Sequence, residues 1–552
     1  MTNISAIIIP VVSVLCALFT ILFFWRYGIF KHPWYATLLI VFSASIPSIM
    51  VIGVLPYDIS TCLFGNTGNN GSALKTSLEV LYWISFVLSW VINPLIVSYL
   101  SYSNTISLKH RIWMTVRENL IFYAIVLGLA GIGIIILIAS NKLTISSIFP
   151  LAIALANGYG LLLLCLCLGY AFISLPRDLW LMASPSFSYI YSLNEISKEA
   201  KRAARTIADG DAVLLIANRA RSRLNGLSLD MFMQKGIQRI DKLNLVKGSL
   251  PIPETYFVTE TKNKKIKKFD KFDWKYCSTG KLEDFLSIMD TTIESIVQSS
   301  SFLDYSGKTA LRALKRYQNQ SIMSKILLRI FAVILGIINA ICFWSEICLM
   351  FKNKLSLFYQ LSHVNMKQSI SIIFVSTPIL TYLLVIGSWS LMKFKLGSFY
   401  KFIVSATSAN TMNYFANFLC RLAPTIGFHY MQQIGAESSQ FQKVMGVMDV
   451  VVFIGDKWNI FSPIILIMIA LLVTFRISDK IRLLFGCDEV VFESDYLDYD
   501  NLQNGEQILK DLEPDAKEII ESGLTFKNVL DKTMPSKAKY EMNERLSRSY
   551  LP

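Results

Sequence analysis

Long apolar runs separated by short polar loops dominate the chain. Nine of them, at 4–25, 34–56, 78–100, 119–139, 148–172, 326–346, 369–391, 411–431 and 459–475, approach the length that carries a helix across a hydrocarbon layer ~30 Å thick. The run 411–431 fits least well because it carries several polar residues, and 459–475 because it is short. The alternation breaks once, between residues 172 and 326. At the break, Pro176 follows the fifth run, and Arg177, Asp178 and Trp180 come directly after it. Proline lacks a backbone donor, arginine stays in water and tryptophan sits at headgroup depth, so this pattern predicts that the helix ends and leaves lipid at Pro176.

Inside the break the periodicity changes. Ile196, Ala200, Ala203 and Ile207 recur as one face of a helix does. Asp209, Gly210 and Asp211 interrupt, and Val213, Ile216, Ala220 and Leu224 resume the stripe. Leu282, Phe285, Met289, Ile293 and Ile296 form another, and Leu311 with Leu314 a fourth. None is apolar all round, so these helices should pack on one another outside a bilayer, partly as a coiled coil. The predicted fold is therefore all-α: a polytopic transmembrane helical protein of five plus four spans around a helical insert. Its boundaries fall at 1–175 (spans one to five), 176–324 (insert), 325–480 (spans six to nine) and 481–552 (an acidic, partly disordered tail).

Composition adds little that the pattern does not already say. Apolar residues make up 53 % of the chain and charged ones only 17 %, which excludes a string of soluble domains. A formal charge of +14 would suit a nucleic-acid binder, but the positive residues sit in loops beside apolar helices. They read as a topology signal instead, and no nucleic acid is expected. Arg26, Lys31, Lys109, Arg111, Arg117, Lys393, Lys395, Lys401, Arg476, Lys480 and Arg482 occupy alternate loops. This puts the N-terminus outside, and the insert and the C-terminus in the cytosol. The first run lacks a basic n-region and reads as a retained span rather than a cleaved leader. Asn70, in the outer loop, begins an Asn-Gly-Ser sequon and is a candidate glycan acceptor, with an unmodified loop the other reading. Cys62 and Cys348 would share that side and could pair.

The insert holds 24 lysines and arginines against 16 acids, a net of +8 over 177–324. Lys262, Lys264, Lys265, Lys267 and Lys268 cluster in a basic linker near 262–271. With Phe269, Phe272 and Trp274 behind them, they are candidates for contact with anionic lipid headgroups. A solvated, mobile linker is the alternative. The acid-rich run 488–500 could cover this linker, although disorder is the default for such a tail.

No catalytic constellation is visible. His32, His110, His363 and His429 are scattered, no phosphate loop or hydrolase motif occurs, and no metal or cofactor is expected. The unusual residues are polar ones inside runs. A central arginine costs roughly 2.5–3.5 kcal/mol to insert, so Arg421 needs a partner: Glu346, Asp449, Asp456, or a lipid or substrate anion. If the helix begins near it, Arg421 is merely interfacial. Asn413, Asn417, Asn93, Asn157 and Asn339 either mediate packing or, clustered with Arg421, line a polar path.

The segment Gly169, Tyr170, Pro176, Arg177, Leu179 and Trp180 resembles a motif of the limb-region-1-like (LMBR-type) membrane protein family, in its "domain-containing protein 2" branch. Leu81 to Trp83 with Ser89, Trp90, Pro94, Leu95, Ser98 and Tyr99 resemble that family's third span. Leu55 to Ser60 resemble its exit from the second, and Cys420, Arg421 and Pro424 its eighth. Ala171 stands where the motif has a second glycine. The resemblance implies the same five-plus-four arrangement over residues 1–480. It also implies roles such as lipocalin receptor, lysosomal cobalamin-transport factor or modulator of G-protein-coupled receptor signalling, none of them tied to a catalytic residue. The expectation is a non-enzymatic receptor or signalling scaffold whose partner, cytosolic or in the membrane, meets residues 190–320. The alternative is a transporter or lipid-handling protein working around Arg421.

Overall fold

A backbone surrounded by hydrocarbon must satisfy its own hydrogen bonds, which favours helices, and the computed structural model has no strand among its described residues. Those residues are 2–64, 71–102, 107–141, 144–221, 263–274, 279–319, 322–351, 353–363, 369–393, 401–436, 438–445, 456–475 and 499–533, with single positions 241, 252, 256 and 261. In chain order the helices are α1 (Thr2–Arg26), α2 (Trp34–Ser48), α3 (Leu55–Phe64), α4 (Gly71–Val87), α5 (Asn93–Ser101), α6 (Leu108–Ala139), α7 (Ile148–Met182) and α8 (Pro185–Arg221). Next come α9 (Lys264–Asp270), α10 (Thr279–Asn319), α11 (Ile322–Cys348), α12 (Leu357–His363), α13 (Ser369–Lys393), α14 (Ala409–Gln433), α15 (Gln440–Met445) and α16 (Asp456–Thr474). The last are α17 (Tyr499–Leu512), α18 (Pro514–Glu521) and α19 (Phe526–Thr533). Single π turns, Ile49–Val54 and Leu88–Ile92, join α2 to α3 and α4 to α5.

Two compact units result. The first comprises residues 1–100, 113–178 and 331–494, and the second 101–112, 179–330 and 495–552. Seven helical segments are long and apolar enough to cross a membrane: Ile9–Arg26, Trp34–Phe64, Ser72–Ser101, Leu108–Ala139, Leu151–Met182, Ile322–Cys348 and Ser371–Lys393. They coincide with the first seven predicted runs. The eighth and ninth runs are also helices, α14 and α16, but α14 is too polar to join that set and the apolar part of α16, Phe461–Thr474, is short. Yet α14 is the helix around which the first unit packs, with 19 of its 25 residues buried against neighbours that include α2, α4 and α13.

One expectation fails. Pro176 does not end the fifth helix, because α7 continues through it to Met182 and the chain turns only before Pro185. A proline inside a helix removes the bond to the carbonyl four residues back, here that of Phe172. The side-chain amide of Asn339, on α11, donates to that carbonyl at 3.1 Å, so the helix can run on.

In the second unit, α8 and α10 lie antiparallel, with Arg202 over Phe302 and Gly210 facing Ile296. The predicted stripes form its core: Ile196, Ala200, Ala203, Ile207, Val213, Ile216, Ala220, Leu282, Phe285, Met289, Ile296 and Leu314 are all buried. Asp209 to Asp211 do not interrupt α8, because the hydroxyl of Thr261 holds the Asp209 carboxylate and Gly210 leaves room for Ile296. The aromatic residues behind the lysine cluster also go inward. Phe269 and Trp274 join Val213, Ile216, Phe285 and Met289 in one cluster, so they are core residues and not interface anchors. Part of the tail is structured as well. Leu502, Ile508 and Leu509 of α17, Ala516 and Ile520 of α18, and Phe526 and Val529 of α19 share a core with α8 and α10.

Candidate functional site

Polar side chains of the first unit attend three of its prolines. Besides Asn339 beneath Pro176, Cys420 Sγ donates to the carbonyl of Ser43, which Pro47 leaves without its helical donor (2.9 Å). Pro94 removes the donor that Trp90 would have in an α register and Ser89 in the π register of the preceding turn. Tyr123 Oη donates to Trp90 O, and the Arg421 guanidinium to Ser89 O at 3.1 Å. Asn93, between them, accepts from Ser43 Oγ at 3.0 Å and, through its carbonyl, from Asn413 Nδ2 at 3.0 Å. Neighbouring helices thereby supply the donors that the prolines lack, as a lipid environment demands.

The motif Gly169 to Trp180 has the same structural character. A Cβ on Gly169 would come within 3.0 Å of Leu466 O, so glycine permits the close approach of α7 and α16. Tyr170 stacks on Trp389 with ring centroids 6.0 Å apart. Arg177 donates to Val473 O at 3.4 Å, satisfying a carbonyl in the last turn of α16, where no helical donor remains. Leu179 is half-buried, and in the second unit Trp180 lies under the Arg329 guanidinium at 4.9 Å. Asp58 plays a comparable part: its carboxylate accepts from the backbone N–H groups of Gln440 (3.1 Å) and Phe441 (2.8 Å) at the start of α15.

Arg421 has surroundings of a different kind. Its guanidinium sits 3.7 Å from the ring centroid of Trp90 and 4.9 Å from that of Tyr159. Among the described residues no carboxylate pairs with it: Glu346 is engaged elsewhere, Asp449 lies outside the described residues, and so does the side chain of Asp456. Beside Arg421 is a cavity of about 30 Å³ whose lining includes Tyr82, Ser85, Ser89, Trp90 and Asn157. Asn157 is tied down, accepting from Tyr82 Oη at 3.0 Å and donating to Met445 O at 3.3 Å. The six polar residues singled out in the sequence do not form one path. Asn157 joins Arg421 at the cavity, Asn93 and Asn413 make a separate pair, and Asn339 belongs to the Pro176 network, where Tyr382 Oη donates to it. Asn417 is half-buried and its Oδ1 has no partner among the described residues.

A second polar centre escaped the sequence reading. His429 Nδ1 meets Glu346 Oε2 at 3.0 Å, with both side chains 2 % exposed, and Ser462 Oγ lies 3.4 Å from His429 Nε2. The two residues are far apart in the chain, and neither has a motif around it. The usable signal was that both are ionisable residues inside runs of spanning length. Of the lysine cluster, Lys264, Lys265, Lys267 and Lys268 are exposed on α9, while Lys262 lies outside the described residues, as does Asn70. Cys62 and Cys348 are free thiols and not a disulfide.

A family model described as LMBR1-like membrane protein matches residues 5–478. LMBR1 domain-containing protein 2 homolog A of Dictyostelium discoideum is 23 % identical over 462 residues, covering 77 % of this chain and 60 % of that protein. The G-protein coupled receptor-associated protein LMBRD2 of Caenorhabditis briggsae is 22 % identical over 539 residues, with 84 % of this chain and 80 % of that protein covered. Its namesake in Gallus gallus is 21 % identical over 576 residues, with coverage of 88 % and 80 %. This chain therefore spans only 60 % of the Dictyostelium relative's length. No solved structure matches it.

Proposed function

The chain belongs to the LMBR1-like membrane protein family, and from that premise we propose that it is a multi-pass membrane protein acting by association rather than catalysis, as a scaffold in G-protein-coupled receptor signalling. The second unit is the partner platform, and it faces the cytosol together with the C-terminal helices, with the N-terminus outside. Relatives that this chain covers over 80 % of their length carry the name G-protein coupled receptor-associated protein. The observation that carries the platform reading is a helical unit with its own core, built from three separate stretches of chain, that presents four exposed lysines on α9. The shared core also supports the topology. Residues 179–330 and 499–529 can pack together only on one side of a membrane, so the number of crossings between them is even. That parity is met by four spans, α11, α13, α14 and α16.

Proximity labelling from the second unit in living cells, with a co-expressed G-protein-coupled receptor as the readout, tests the reading. Replacing Lys264, Lys265, Lys267 and Lys268 by glutamate leaves the buried face of α9 untouched and should remove the receptor from the labelled neighbours. Undiminished receptor labelling in that variant overturns the platform.

A further inference from the structure

We propose that the cavity beside Arg421 is a binding site for the carboxylate of a fatty-acid-like amphiphile. The argument starts from the guanidinium. Arginine brings five N–H donors. Among the described residues one bond reaches protein, to Ser89 O, and the other contacts are with the faces of Trp90 and Tyr159. Aromatic faces attract the charge but accept none of the remaining protons. The other arginine of the first unit's helix ends described above, Arg177, has Asp178 at 3.4 Å; Arg421 has no carboxylate among the described residues. A second, independent group is also unfilled. Ser85 is 2 % exposed, lines the same cavity, and its Oγ has no hydrogen-bond partner among the described residues. A positive charge and a hydroxyl donor thus meet at one small space inside a membrane unit, and each lacks what a carboxylate supplies.

Size and surroundings narrow the class. A cavity of about 30 Å³ has room for roughly two waters, and so for a group as small as a carboxylate. The site is not sealed, since Arg421, Phe86 and Trp90 are half-buried and Tyr159 is 41 % exposed. The helices around it expose apolar side chains such as Val87, Val91 and Leu155, along which a hydrocarbon tail could lie. One acidic head and one apolar tail match that combination.

The test is photolabelling of the full chain in nanodiscs with a diazirine-bearing long-chain fatty acid and with the fatty alcohol of the same tail. The acid should label α4, α7 or α14 saturably, and the alcohol at least about tenfold less, the factor expected for losing a charge-assisted hydrogen bond. Arg421→Gln should reduce acid labelling by a similar factor. Ser85→Ala should reduce it several-fold while leaving thermal unfolding unchanged, because it deletes a hydroxyl that has no partner among the described residues; this variant keeps the test valid if Arg421→Gln misfolds. Equal labelling by the alcohol, insensitivity to Ser85→Ala, or displacement of the acid by physiological chloride would each overturn the proposal, the last by making the site one for a simple inorganic anion.

Discussion

If Asn339 serves the carbonyl that Pro176 leaves bare, its value must vanish when the proline does. Asn339→Leu keeps the branched, four-heavy-atom shape of the side chain but removes the donor, leaving Phe172 O unsatisfied between α7 and α11, where both Asn339 and Phe172 are buried. An unsatisfied buried carbonyl costs about 1–3 kcal/mol in general, while hydrogen bonds within membrane bundles average about 0.6 kcal/mol, so a loss near 1 kcal/mol is the reasonable expectation. Pro176→Ala restores a backbone N–H four residues after Phe172, and the amide then becomes redundant. The replacement also breaks the bond from Tyr382, but that loss occurs in both backgrounds and cancels in a double-mutant cycle. Reversible unfolding in mixed micelles titrated with dodecyl sulfate should give a coupling of about 1 kcal/mol, about fivefold in the unfolding constant. Additivity of the two substitutions to within about 0.3–0.5 kcal/mol would refute the reasoning.

Three further outcomes are expected. Glu346→Ala, which strands His429 in a site where both side chains are 2 % exposed, should cost about 3–5 kcal/mol in the same titration. Glu346→Gln retains an oxygen to accept from His429 Nδ1 and should cost less than half of that; equal losses would mean that charge, not the hydrogen bond, holds the pair. Gly505→Ala places a Cβ 2.8 Å from the carbonyl carbon of Leu193, with the carbonyl oxygen closer still. Backbone cannot swing aside, so overpacking of about 1–3 kcal/mol should loosen α17 from α8. Hydrogen exchange in α17–α19 should accelerate, and unchanged exchange would contradict the shared core. Asp209, finally, has its carboxyl raised above the ordinary value by burial, an effect the Thr261 hydroxyl partly offsets. A raised folded-state pKa means that the stabilisation is complete below the unfolded value, about 3.9, and is lost as pH rises through the folded one. Asp209→Asn should therefore raise the melting temperature at neutral pH and leave it unchanged near pH 3; a gain of equal size at both would point to another cause.

How much of this was legible before the structure depends on which force set each feature. The seven apolar spans follow from the length of their apolar runs, which a hydrocarbon layer demands, and the stripes of α8 and α10 from periodicity, because one-sided burial writes itself into residue spacing. The fate of Pro176 does not, since it depends on Asn339, which is distant in the chain and arrives only when α11 packs on α7. The helical tail was hidden for a similar reason. Its helices are short, and Leu502, Ile508 and Leu509 find their apolar partners in residues far away in the chain, such as Tyr189, Leu193, Ile196 and Leu303. The lysine cluster misled in the other direction: aromatic residues following basic ones read as membrane anchors, whereas Phe269 and Trp274 serve the core beneath an exposed charged face. Arg421 was visible as an anomaly in a run, but the cavity beside it comes from four helices, α4, α7, α14 and α15, and has no sequence signature.

The contrast between α6 and α14 shows why hydropathy alone mis-ranks importance in this chain. The window of α6 is the most apolar of the seven spans and buries none of its residues, whereas α14 fails the apolar criterion and is enclosed along most of its length. In water this would be paradoxical. In a bilayer, lipid tails solvate leucine and isoleucine as well as other helices do, so apolar surface has no reason to turn inward, and polar surface does. Thr411, Asn413, Cys420, Thr425, His429 and Gln433 all lie buried on α14, and three of them, Asn413, Cys420 and His429, bond to the Pro94 segment, α2 and α11. The helix that looks least like a span is thus the one that the other spans gather around, which is also why Glu346–His429 and the Arg421 cavity both sit on it.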